Sequence, residues 1–224
     1  MVIETVLFDL DDTLIEEREW ARTGWEVVAA GLAEQTGREP EALVALMADA
    51  FAADPRTVFD SLGAVLGLGA DRVADCIERY RATVRPLTVP SDAEAALAAV
   101  AGRRTGIVTD GLARTQRAKV AGAGLERRVE VVVYTDELGP GAGKPSPAGF
   151  QRALAALGTE PARAVYIADN PAKDFIGPRS LGMRSIRVRR KGGVYRALEP
   201  APGAEPDRTI DNLDGLAAVL ATWD

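Results

Sequence analysis

A chain of 224 residues that is 47% hydrophobic and 27% charged can bury a core behind a charged surface, which excludes a disordered tail or a small stapled scaffold. Twenty-seven basic against thirty-three acidic residues leave a net charge of -6, and such a surface repels a phosphate backbone, so no nucleic-acid partner is expected. With no histidine and a single cysteine, Cys76, the imidazole-dependent nucleophile pairs, imidazole zinc sites and any internal disulfide are also excluded.

In chain order, the first apolar run is Ile3 followed by Val6, Leu7 and Phe8. It is short, β-branched or aromatic, and reads as a buried parallel strand that delivers Asp9 and Asp11 at its C-terminal end. From about 15 to 90 the apolar spacing turns helical. Trp20, Gly24, Val27, Val28 and Leu32 form one stripe, and Leu43, Leu46, Met47, Ala50 and Phe51 a second. A third helix, with Val58, Phe59, Leu62, Val65 and Leu66, is expected behind Asp54-Pro55 as cap and first-turn proline; Val73, Ile77, Tyr80 and Val84 mark a fourth. Pro90, then Ser91 with Glu94 three residues on, reads as a capping box that restarts the main domain. Strand-like runs return at Thr105 to Thr109, Val129 to Tyr134 and Ala164 to Ala168, with Ile186 and Val188 as a fifth candidate. Between them, helices are expected to start near Leu112, at Ser146-Pro147, and near Asp174 with closure at Gly182. This alternation predicts an α/β fold: a doubly wound parallel sheet from residues 1–14 and 91–224, with an all-helical insertion at 15–90. No apolar run approaches the ~18 residues of a membrane span, and the opening MVIETVLFDLDDTL is acidic where a secretory leader is basic, so a soluble cytoplasmic protein without a membrane partner is expected.

Doubly wound sheets bind ligands outside the C-terminal ends of their strands, so the polar residues after each apolar run should converge on one crevice. Those residues are Asp9, Asp11, Asp12 and Thr13, then Thr109 and Asp110, then Asp169, Asn170 and Asp174, with Lys144 before the helix leading into the fourth run. Several carboxylates with a hydroxyl and a lysine suit a hard cation and a phosphate. Singly, each residue has a plainer use: Asp9 and Asp11 as turn and capping aspartates, Thr109 as a cap, Lys144 as a solvated charge, Asp174 as a helix-terminal charge. The stretch GPGAGKPS departs from a nucleotide-binding phosphate loop at Leu138 and Pro145. Asp12 and Asn170 are given no catalytic role, and Arg189-Arg190-Lys191 reads as a solvated strand end.

Four motifs in order carry a resemblance: Asp9-Leu10-Asp11-Asp12-Thr13, Thr109 at a strand end, Lys144 in GKPSP, and Asp169 with Asp174 in ADNPAKDF. With the flanking segments TDGLARTQRAKVAGAGL and DNPAKDFIGPRSLGM, the chain resembles the haloacid dehalogenase superfamily of aspartate-nucleophile phosphatases, in the form with a helical cap inserted after the first motif. The resemblance implies that Asp9 attacks phosphorus and forms an aspartyl phosphate, and that Asp11 is general acid and base. It implies Mg2+ held by Asp9, Asp169 and the backbone carbonyl of Asp11, with Asp174 orienting a metal-bound water or Lys144. It also implies Thr109, Asp110 and Lys144 as the phosphate-binding set. The expected substrate is a small phosphorylated metabolite such as a sugar phosphate or nucleotide, whose charge of about -1.5 to -2 needs cancelling by the cation and Lys144. Arg18 and Arg22, four apart on one helical face, are candidate substrate contacts, whereas Trp20 and Trp25 read as core. Asp11 speaks against dehalogenase chemistry, which needs neither that acid nor magnesium, and no lysine precedes Lys119 to serve a phosphonatase. A sugar-phosphate mutase without its cap histidine, and a non-catalytic metabolite-binding or regulatory protein on the same fold, remain the alternatives. Substrate identity and oligomeric state stay open.

Overall fold

The protein is described by a computed structural model over residues 2–82 and 85–224. It divides into two units, Met1–Glu16 with Pro86–Asp224, and Glu17–Arg85. Among the described residues of the first unit, six strands form one parallel sheet: β1 (Thr5–Phe8), β2 (Arg104–Thr109), β3 (Val131–Tyr134), β4 (Ala164–Ala168), β5 (Arg184–Val188) and β6 (Arg208–Ile210), in the order β3-β2-β1-β4-β5-β6. β1 is central and entirely buried, which explains its unbroken apolar run: both faces of a parallel strand are covered. Phe8 lies beside Ile107 on one neighbour and Ile167 on the other, so the residues that follow emerge together at one sheet edge. Gly106 in β2 is required by packing, since a Cβ there would stand 2.7 Å from Val131 Cγ1 and 2.9 Å from Leu7 Cδ2. β6 lies beyond the expected strands; it is a three-residue, mostly exposed edge strand with no apolar run to announce it.

The second unit is helical throughout its regular elements: α1 (Glu17–Thr36), α2 (Pro40–Ala53), α3 (Val58–Leu66) and α4 (Ala70–Ala82). Helix α1 buries Trp20, Ala21, Gly24, Trp25, Val28, Ala29 and Leu32, and Trp25 meets Phe51 of α2 edge-on at 5.3 Å. Val27, expected in that stripe, is 40% exposed because it sits a third of a turn from Val28. Val65 of α3 is exposed as well. Asp54 does not cap α3. It ends α2, its N–H bonding to Ala50 O, while its carboxylate binds Arg56, and α3 starts behind Thr57. Val84, assigned to the fourth stripe, lies outside the described residues.

Around the sheet run α5 (Ser91–Ala99), α6 (Ala113–Gly122), α7 (Ala148–Leu157), α8 (Ile176–Leu181) and α9 (Leu216–Ala221). Helix α8 stops at Gly182, whose φ of 80° is open to glycine at no steric cost. The Ser91–Glu94 capping box does not form: Glu94 instead binds Arg128, and Pro90 precedes the helix without a side-chain cap. Arg190 is not the solvated strand end its basic run suggests. Its guanidinium donates to both carboxylate oxygens of Asp92 in α5, at 2.6 and 2.5 Å, and to the carbonyl of Thr13 at 2.7 Å. No helix among the described residues is long and apolar enough to cross a membrane.

Candidate active site

Asp9 leaves β1 with its N–H bonded to Ile167 O, which fixes the first residue past the strand. Its Oδ1 accepts from Lys144 Nζ at 2.9 Å. The lysine side chain is 1% exposed and stands 2.8 Å from Asp174 Oδ1; it also donates to the Tyr166 hydroxyl at 2.9 Å. That hydroxyl in turn donates to Val108 O at 3.2 Å. The other oxygen of Asp174 accepts from Asn170 N at 2.9 Å, so a fully buried carboxylate is held from two sides. One oxygen from each of Asp9, Asp169 and Asp174 falls within 4.8 Å of the other two. The sheet unit alone builds this cluster.

Its electrostatics are unbalanced. Burial pushes Asp9 up to about 6, with Lys144 opposing and Asp174 adding to the rise. Burial, then the negative charges of Asp174, Asp9 and Asp12, hold Asp169 well above the usual carboxylate range. Lys144 is held well above its ordinary value because Asp174 and Asp9 outweigh its burial. Among the described residues no ion pair reaches Asp169, and Lys144 pairs with Asp9 and Asp174, so one close cation faces three buried carboxylates of which it meets two. An all-oxygen donor set short of positive charge suits a small hard divalent cation such as magnesium.

Asp11 faces elsewhere. Its Oδ1 accepts from Lys119 Nζ at 2.6 Å and its Oδ2 from Gln116 Nε2 at 2.9 Å, so its side chain is not part of the three-carboxylate cluster. The same amide donates to the Thr109 hydroxyl oxygen at 2.6 Å. Asp110, expected among phosphate-binding residues, turns its carboxylate to Thr135 at 2.7 Å, Lys144 N at 3.1 Å and Lys173 Nζ at 2.9 Å. Burial raises it, but Lys144 and Lys173 outweigh that and keep it below its ordinary value. An ionised carboxylate is acceptor-only, so this side chain organises the Lys144 loop rather than meeting an anionic group. Asp12 takes a positive φ of 50°, which aspartate tolerates better than most residues, and accepts from Val194 N at 2.8 Å; Asn170 accepts from Ala172 N. Arg18 and Arg22 are exposed on α1 in the helical unit, and Arg22 engages Glu26 one turn later.

Sequence reasoning passes over Tyr166, Gln116, Lys119 and Lys173. A signal exists for two of them: Gln116 and Lys119, three apart, fall on the inward face of α6 beside Val120, where polar residues need a reason. Tyr166 gives no signal beyond its place in a buried strand, where a hydroxyl must find a partner.

The sequence model of the haloacid dehalogenase-like hydrolase family matches residues 3–182. The chain belongs to this family. It is 32% identical to a glyceraldehyde 3-phosphate phosphatase of Methanopyrus kandleri, with 95% of this chain and 97% of that protein covered. It is 35% identical to a phosphoserine phosphatase of Thermus thermophilus over 66% of this chain and 57% of that enzyme, so this match spans little more than half the relative's length. Among solved structures, a 2-haloacid dehalogenase from Pseudomonas syringae pv. Tomato superimposes with a TM-score of 0.65 at 28% identity, over the whole of both chains. Family membership makes the chain a hydrolase on a Rossmann-like α/β core.

Proposed function

We propose that this hydrolase is a magnesium-dependent phosphatase of small phosphorylated metabolites that works through an aspartyl phosphate on Asp9. The observation carrying this reading is the cluster of Asp9, Asp169 and Asp174 around Lys144, whose surplus negative charge calls for a divalent cation and whose lysine is fixed beside the nucleophile. Two relatives named for phosphate-ester hydrolysis support it. Halide displacement, the activity named for the dehalogenase relative, needs neither a metal nor a second aspartate, and beyond the nucleophile would leave Asp169 and Asp174 of the buried cluster without a purpose.

In this reading Asp9, Asp169 and the Asp11 backbone carbonyl would hold the cation, and Asp174 would orient a metal-bound water or Lys144. When bound, magnesium offsets the negative charge of the phosphoryl oxygens and of Asp9, so that anion can approach anion. A carboxylate oxygen of Asp9 attacks phosphorus in line as the ester P–O bond breaks, and Asp11 gives its proton to the departing oxygen. Water then attacks phosphorus, the Asp9–phosphorus bond breaks, and Asp11 takes the water's proton. Lys144 and the Thr109 hydroxyl hold phosphoryl oxygens, while Asp174 and Tyr166 fix the ammonium. The helical unit, inserted directly after the segment that carries Asp9 and Asp11, is read as the cap that selects the substrate, with Arg18 and Arg22 as candidate contacts.

The test is phosphate release from a panel of sugar phosphates, nucleotides and phosphorylated acids, with magnesium or with chelator, for the wild type and Asp9→Asn. Magnesium-dependent release that disappears in the variant is expected. Turnover that survives Asp9→Asn, or ligand binding with no release of phosphate from any panel member, would sink this reading.

A further inference from the structure

Two polar side chains of α6 are buried against Asp11 with no place in the phosphoryl-holding set. Gln116 and Lys119 retain 3% and 4% of their exposure, on a helix whose buried neighbours are Ala118 and Val120. Burying an amide and an ammonium is unfavourable unless each is bonded, and an apolar pair would pack α6 at no such cost. Both are bonded, and they meet at Asp11: Lys119 Nζ donates to Oδ1 and Gln116 Nε2 to Oδ2. With a separate donor on each oxygen, the plane of the Asp11 carboxylate is fixed. Gln116 Nε2 also donates into the Thr109 hydroxyl oxygen, whose own proton points to the Asp110 carbonyl at 3.5 Å.

We infer that Lys119 and Gln116 are a positioning pair for the proton-transfer group: they fix the plane of the Asp11 carboxylate and, through Gln116, couple it to Thr109. The inference rests on the assignment of Asp11 as general acid and base. It separates the two buried lysines by task, Lys144 serving the nucleophile Asp9 and Lys119 serving the proton-transfer group.

Leaving-group dependence tests it. In the first step the ester P–O bond breaks and the departing oxygen takes a proton from Asp11. A nitrophenolate leaves readily without that proton, whereas an alkoxide does not. With the magnesium-loaded full chain, kcat/KM is measured on p-nitrophenyl phosphate and on benzyl phosphate for the wild type, Asp11→Asn, Lys119→Met and Gln116→Met. General acid catalysis is worth roughly 10²–10⁴-fold, so disordering the acid should lower kcat/KM for benzyl phosphate at least about tenfold more than for p-nitrophenyl phosphate in both α6 variants, in the same direction as Asp11→Asn. A merely structural role lowers both esters alike, and that result in the α6 variants, with the split retained in Asp11→Asn, overturns the positioning pair alone. If Asp11→Asn itself treats both esters alike, the assignment of Asp11 falls. Should one α6 variant fail to fold, the other decides.

Discussion

Replacing Asp92 by alanine should cost more stability than any exposed ion pair of this protein. The Asp92 and Arg190 side chains are 10% and 11% exposed, and one guanidinium nitrogen contacts both carboxylate oxygens at 2.5–2.6 Å. At that spacing and an effective dielectric of 20, the attraction is about 7 kcal/mol before desolvation is charged against it. The net value of the pair is far smaller. Deleting one partner is nevertheless costly, because it strands the other charge, here together with the Leu213 N–H that donates to Asp92 at 2.9 Å. Such losses run to about 3–5 kcal/mol, or a fall in Tm of about 6–20 °C for a chain of this size. Urea unfolding of Asp92→Ala, Arg190→Met and the double variant gives the coupling, expected to exceed about 2 kcal/mol. A single-variant loss below about 1 kcal/mol, or additivity within about 0.5 kcal/mol, would refute the reasoning.

The same pair fixes a pH window. Burial pushes the Asp92 carboxyl up, but the bonds from Arg190 and Leu213 N and the charge of Arg190 outweigh it and hold it below its ordinary value. A carboxylate with a depressed folded pKa stabilises fully above its unfolded value of about 3.9, and loses that contribution as pH falls through the folded one. The stability gap between wild type and Asp92→Asn should therefore be flat from pH 5 to 8 and close only below about pH 4. A gap that closed between pH 5 and 7 would place the titration on another group.

Asp9→Asn should lower phosphate release by about 10⁴-fold or more while far-UV circular dichroism stays unchanged, and chelation of magnesium should abolish release in the wild type. Tyr166→Phe removes the hydroxyl that accepts from Lys144 and donates to Val108 O; a loss of about 1–3 kcal/mol in urea unfolding is expected, with a lower kcat at unchanged magnesium affinity. Gly177→Ala puts a Cβ 2.9 Å from the Pro145 carbonyl and 2.8 Å from Phe150 Cε2, next to the peptide that follows Lys144, and should destabilise by about 1–3 kcal/mol in a thermal melt. Thermal midpoints equal to the wild type's would show that the Lys144 loop yields at no cost.

What could be read without coordinates follows from how far each residue's partner lies along the chain. β1 and β4 are legible because burial on both faces forces a continuous apolar run, whereas β6, with residues Arg208, Thr209 and Ile210 at an edge, obeys no such demand. Asp-Pro at 54–55 is a local signal with two meanings, and here the aspartate closes the helix behind it instead of opening the one ahead. Asp9, Thr109 and Asp169 draw attention because they end strands, and parallel register then carries them to one edge whatever the loops do. Direction is another matter. That Asp110 turns to Lys173, 63 residues on, that Arg190 reaches Asp92, 98 residues back, and that Asp11 is clasped by Lys119, 108 residues on, depends on packing that no local pattern encodes. One trace of it is nonetheless written locally. An amphipathic helix that spends its inward face on glutamine and lysine must be facing a charge, and in α6 that charge belongs to the aspartate two residues past the proposed nucleophile.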